Sequence, residues 1–186
     1  MTRLALVFLF LIRILTASAQ EQSTELQRVL RANLLNPGFE YELPFSQKSV
    51  LAVNPGIGIN SSFVQSRFFE DDSGLTYFVS PFLDLSYKNI YNRKSRKRKS
   101  KNLKYNSGNY WGIKFLTKFN ELGIGTTDRE DNIDFSLSPT WGIQRAYGNF
   151  HLLFEFSPSY YFDTKGNHYF FPLMIQLNLG FNLKEW

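Results

Sequence analysis

Cysteine is absent from the 186 residues. That excludes disulfides, thiolate metal sites and a lipid-modified cysteine near the start. Histidine occurs twice, as His151 and His168, so there is little material for a metal centre or for imidazole chemistry. Neither a Gly-rich phosphate loop nor a His/Cys metal pattern is present. Long apolar runs are missing too. The longest, Leu4–Ile12, is about half the roughly 20 residues that a membrane-spanning helix needs. Yet 17% of the residues are aromatic, while mean hydropathy is only −0.27. Beyond that run, apolar residues are abundant but mostly dispersed among polar ones, as in alternating strands.

The opening run has a different character. Arg3 precedes it and Ala17-Ser18-Ala19 follows it. A short basic start, a short apolar core and a small-x-small site describe a secretory signal peptide. The expected division is a signal over 1–19, cleaved next to Ala19, and one β-domain over 20–186.

Period-two alternation fills the rest. In the last segment Leu173, Ile175, Leu177, Leu179, Phe181 and Leu183 alternate with Met174, Gln176, Asn178, Gly180 and Asn182, and Phe171 and Pro172 extend the pattern upstream. The same pattern recurs over 150–163, 133–144, 111–119, 77–87 and 51–59. One phase is large and apolar; the other is Gly, Ser, Asn and a few charges. Segments of 9–11 residues fit a strand tilted across a bilayer, with the apolar phase toward lipid and the polar phase toward a narrow lumen. The turn signal Asn36-Pro37-Gly38 splits the remaining segment into strands near Leu26–Leu35 and Phe39–Phe45. The expected fold is therefore all-β: an antiparallel up-and-down transmembrane β-barrel of eight strands. Pro55, Pro81, Pro139 and Pro158 fall inside strands in the outward phase, where bulges are expected.

If the C-terminus is periplasmic, parity places Phe45–Lys48 and Ala146–Asn149 in short periplasmic turns. The longer connections Gln65–Gly74 and Glu121–Asn132 then lie outside. They carry the acidic clusters Glu70, Asp71, Asp72 and Asp128, Glu130, Asp131, which lack the spacing of a cation-binding loop. Parity also puts the basic segment in the periplasm. It contains Arg93, Lys94, Arg96, Lys97, Arg98, Lys99, Lys101 and Lys104, and these eight residues outweigh the whole +5 net charge. Like charges with only Leu103 to bury predict a mobile, protease-sensitive loop.

The opening Asn33-Leu-Leu-Asn-Pro-Gly-Phe-Glu-Tyr41, the basic turn followed by Asn106-Ser-Gly-Asn-Tyr110, and the final strand Phe171–Trp186 with its aromatic end carry a family likeness. Over 20–186 the chain resembles the small Gram-negative outer-membrane β-barrels of OmpX and OmpA size. The resemblance implies an outer-membrane location, contact with outer-membrane lipid, and a last strand read by the barrel-assembly machinery. In one respect the chain departs from that pattern. Trp186 is out of phase with Leu183 and Phe181, and Glu185 occupies the apolar phase.

Three sets of residues are candidates for function. Arg31, Glu40, Glu42, Asp84, Lys88, Lys114, Lys118, Asp134 and Glu155 fall in the inward phase with nearly balanced sign. Charges at that depth must pair, so a lumen plug is expected rather than a solute path. The basic segment suits an anionic lipid or cell-wall polymer, at about 1 kcal/mol per basic residue near an anionic surface; nucleic acid is not expected as a partner of a secreted barrel. His151, Glu155 and Ser157 share the inward face and form a weak catalytic constellation. No metal or cofactor is expected. The leading expectation is a non-enzymatic barrel with a structural or surface-interaction role in the cell envelope. A lipid-modifying enzyme of the same architecture, a minor pore and a soluble secreted barrel are the alternatives.

Overall fold

A computed structural model describes residues 25–62, 76–119 and 133–186. Residues 1–19, where a signal peptide is expected, and both acidic clusters lie outside the described residues. Eight strands follow the chain: β1 (Val29–Asn33), β2 (Gly38–Pro44), β3 (Ser49–Ser62), β4 (Thr76–Ile90), β5 (Gly108–Phe119), β6 (Ile133–Tyr147), β7 (Phe150–Asp163) and β8 (His168–Glu185). Each pairs antiparallel with its sequence neighbours, and β1 pairs with β8 to close the sheet into a barrel. Asn36-Pro37-Gly38 turns the chain where the sequence places it, although β1 is shorter than Leu26–Leu35.

This order gathers the described chain ends, the Phe45–Lys48 turn, the basic segment and the Gly148–Asn149 hairpin at one end of the barrel, the terminus end. Gly148 has φ +61, the left-handed backbone that a two-residue hairpin loop demands. The opposite end carries the Leu34–Pro37 and Thr164–Asn167 turns.

The two phases separate as the alternation predicts. Arg31 and Glu42 are fully buried, whereas Ile113 is 51% and Ile175 65% exposed. Apolar side chains cover the outer wall, where they also meet one another across strands. Phe135 stacks on Phe115 at 5.8 Å and on Phe162 at 5.4 Å, the kind of cross-strand pair that stabilises a sheet.

Two irregularities correct the phase expected for the last strand. Near its end Leu30 faces Lys184 and Arg31 faces Asn182, so β8 bulges past Leu183. The slip moves Glu185 to the inner side, where its Oε1 accepts a bond of 2.6 Å from the Tyr105 amide. It also restores Trp186 to the outside, edge-on to Tyr41 at 6.0 Å. Further up, Ser157 faces Met174 while Ser159 faces Phe171. A bulge at Pro172–Leu173 therefore brings Phe171 into the phase of the inner residue Ser159, not the outer phase assigned from alternation.

The prolines are accommodated mostly without bulges. The β3–β4 register runs unbroken through Pro55 and Pro81. Pro139 and Pro158 stand opposite one another where the β6–β7 ladder is interrupted between Leu137 and Trp141. A missing donor is tolerated where no ladder bond is due; only Pro158 lies at a bulge, on its β8 side.

Candidate functional site: the lumen and its basic cap

Period two delivers polar side chains from all eight strands to one interior, and they sort into layers. Nearest the terminus end, Arg31 on β1 reaches both carboxylates of β2. Its Nη1 lies 2.7 Å from Glu40 and 2.9 Å from Glu42. From β4, Lys88 meets the same two groups at 2.8 and 3.0 Å. Two cations and two carboxylates thus form one closed set, as burial requires. The remaining Arg31 donors go to Asn182 Oδ1 at 3.0 Å and to the Tyr105 carbonyl at 2.8 Å.

The next layer crosses the barrel. Tyr110 lies over Gly142, where an added Cβ would fall 2.4 Å from the ring. Its hydroxyl donates to Glu155, which also pairs with Lys114. Lys114 further contacts Asp84 at 3.5 Å and Gln176 at 3.0 Å. Above this, Lys118 faces Asp134 across the β5–β6 ladder, and the Tyr161 hydroxyl donates to Asp134 at 2.6 Å. Of the nine inward charges named from the sequence, seven fall into these two ion-paired sets. Tyr110 joins them without having been named. Its signal was legible: a large residue in the small phase, opposite a glycine.

The catalytic constellation does not assemble. His151, Glu155 and Ser157 stand on the single strand β7. At about 3.4 Å per residue, His151 and Ser157 are roughly 20 Å apart. Glu155 is taken by Lys114 and Tyr110. Buried His151 has no hydrogen-bond partner on either ring nitrogen, so no third group orients it as a base.

The basic segment overturns the expectation of a mobile loop. Arg93–Arg98 forms a short helix, α1, and Lys104–Asn106 a 3-10 turn. Two of the eight basic residues are internal struts. Arg93 donates to the carbonyls of Leu103 at 3.0 Å and Glu25 at 2.8 Å. Arg96 donates to the Asn102 carbonyl at 2.6 Å, and the Asn102 side chain in turn donates to the Ala146 carbonyl at 2.7 Å. Leu103 is buried. Desolvation draws both guanidinium groups below their ordinary pKa, and for Arg93 the nearby Glu185 and Glu42 oppose it. Both stay charged regardless. Like-charge repulsion is thus outweighed by backbone carbonyls, which accept from cations and carry no charge of their own.

Asn106 fastens this cap to the lumen. Its amide nitrogen donates to the Gln27 carbonyl at 2.8 Å and to Glu42 at 2.9 Å. Its Oδ1 accepts from the Gln27 amide at 2.9 Å, and its carbonyl from Gln144 at 2.7 Å. Tyr105 and Asn106 both have positive φ, +52 and +57. Such strain persists only where surrounding contacts over-determine it. Spacing gives Asn106 no fastening role, because its partners come from three distant segments. With Arg93 and Arg96 turned in, Lys94, Lys97, Arg98, Lys99, Lys101 and Lys104 are exposed on the cap.

The terminus end of the lumen is therefore closed twice, by the Arg31–Lys88 set and by the cap over it. The arrangement can hold charge, exclude solutes and present cations. No protein-family model, curated protein or solved structure matches the chain.

Proposed function

We propose that this protein is a transmembrane β-barrel of a Gram-negative outer membrane, exported by the 1–19 signal, which serves the envelope by structure and surface contact rather than by catalysis. Two features support the membrane reading. Charge is inside and exposed apolar surface outside, the reverse of a water-soluble domain. Aromatic residues on the outer wall also occur at both ends: Phe45, Tyr91, Tyr147 and Trp186 near the termini, Tyr160 and Phe170 opposite. Such rings favour the two membrane–water interfaces.

The observation that carries the surface-contact role is the folded cap. Ordering a chain of like charges is unfavourable, and here the order holds six cations outward on a firm base. The matching partner is a polyanion on the terminus side, which parity makes the periplasm: the cell-wall polymer, or anionic lipid of that leaflet.

The test uses the mature protein in neutral vesicles, mixed with cell-wall fragments or with separate anionic vesicles. Replacing Lys97, Arg98, Lys99 and Lys101 by Gln should weaken binding by two orders of magnitude or more, at about 1 kcal/mol per residue, and added salt should do the same. Unchanged affinity would remove the cap from the account. In planar bilayers the closed lumen should pass no steady current; a stable conductance would favour the pore instead.

A further inference from the structure

Among the described residues, the barrel wall is complete only toward the terminus end. β1 and β2 have five and seven residues, while β3 and β8 have 14 and 18. β1 follows β8 only from Glu185 to Gly180, and β2 follows β3 only as far as Gly56. The last bonds around the β1–β2 turn run from the Leu34 amide to the Leu179 carbonyl and from the Ile57 amide to the Pro37 carbonyl, both 2.7 Å. Beyond them, among the described residues, no strand lies between β8 over 168–178 and β3 over 58–62. At about 4.8 Å per strand, the described residues leave a notch roughly 14 Å wide there, the width of two strands.

At the same height the inner face changes character. A cavity of about 240 Å³ lies against β5, β6, β7 and β8; its lining includes the apolar Leu116, Phe171 and Met174 and the polar Lys118, Asp134 and Tyr161. The Pro172–Leu173 bulge puts both Phe171 and Met174 in the inner phase. They stand on β8, the strand whose other edge borders the notch. The polar groups around the cavity are engaged with one another: Ser138 with Ser159 at 2.9 Å, Tyr161 with Asp134. Below it the Lys114, Asp84 and Glu155 set closes the way. Outside, the same strand carries Ile175 and Leu177 at 65% and 49% exposure.

We propose that this cavity takes a single acyl chain of a membrane lipid, which enters sideways through the notch. The inference rests on the reading that the barrel spans a bilayer. The occupant follows from the lining and the path. The cavity is smaller than the roughly 300–1,000 Å³ usual for compact ligands, so it suits a slender chain. Its apolar residues have no reason to face a water-filled lumen. The apolar outer belt runs up to the notch, so bilayer chains already lie at its lip. The ion-paired floor makes it a dead end, a site for holding a chain and not for passing one.

The experiment places the mature protein in phosphatidylcholine vesicles containing a phosphatidylcholine with a photoreactive diazirine on its acyl chain. Cross-linked residues are then mapped by peptide mass spectrometry. Adducts are expected at the inner residues Leu116, Met174 and Phe171 as well as on the outer wall at Ile113 and Leu137. Leu116→Trp, which fills the cavity, should reduce inner adducts at least tenfold and leave outer ones unchanged. Ser159→Phe fills it from another strand, should one variant fail to fold. Outer adducts without inner ones would overturn the acyl site and leave the membrane reading intact. So would a second copy paired along the β8 edge, seen as inter-chain cross-links there when a bifunctional photoreactive cross-linker is added to a parallel sample. Absence of outer adducts would overturn the membrane reading, and the acyl site with it.

Discussion

Arg31 and Lys88 in the lumen and Lys97, Arg98 and Lys99 on the cap carry the same charge in opposite circumstances. The first two are almost fully buried and share Glu40 and Glu42; the other three are exposed. Between these extremes stand Arg93 and Arg96, buried in the cap but bonded to neutral carbonyls. What separates the groups is the available acceptor. A cation reached by two carboxylates closes the barrel, a cation reached by carbonyls folds the cap, and a cation reached by neither is left for a partner.

The comparison breaks most severely at Arg31. Arg31→Met leaves Lys88 as the one cation paired with Glu40 and Glu42, and removing one member of a buried set costs about 3–5 kcal/mol. Urea unfolding of the lipid-embedded protein should show that loss; a change below about 1 kcal/mol would mean the set is hydrated and not a plug. On the outer wall, Ile113→Arg should cost about 2–4 kcal/mol if the residue sits near the bilayer midplane. A silent substitution there would point to a water-facing wall.

The period-two residues of this comparison were legible in advance. Because strand side chains alternate strictly, the inward charges could be named from spacing alone, and the two ion-paired sets join most of them. The failures have local causes. The bulges at Leu183 and at Pro172–Leu173 each shift the phase by one residue, so Glu185 and Phe171 could not be placed by extending the pattern. The constellation of His151, Glu155 and Ser157 respected the phase but ignored length along the strand. The cap was misjudged because counting charges omits the backbone as an acceptor, and because a single apolar residue, Leu103, was discounted as a core.

Asn106→Ala sharpens the boundary between the two regions. It removes bonds to Gln27 and Glu42 and should cost about 1–3 kcal/mol. It should also release the cap, so that trypsin cuts within Arg93–Lys104 several-fold faster than in the unaltered protein. Equal cleavage rates would mean Asn106 does not fasten it. The smallest effect on stability belongs to the exposed cations. Replacing Lys97, Arg98, Lys99 and Lys101 by Gln should change unfolding free energy by no more than about 0.5 kcal/mol, as for other exposed substitutions. A larger loss would make those residues part of the cap's framework.

On the proposed membrane reading, the outer wall lies in lipid while the cap lies in water. Since the chain has no cysteine, Ile113→Cys and Lys99→Cys each give one attachment point for an environment-sensitive fluorophore. With the protein in vesicles, the dye at position 113 should be quenched by lipids carrying a nitroxide on the acyl chain and spared by aqueous iodide. The dye at position 99 should show the reverse. Iodide quenching at both positions, with no effect of the nitroxide lipids, would contradict the account.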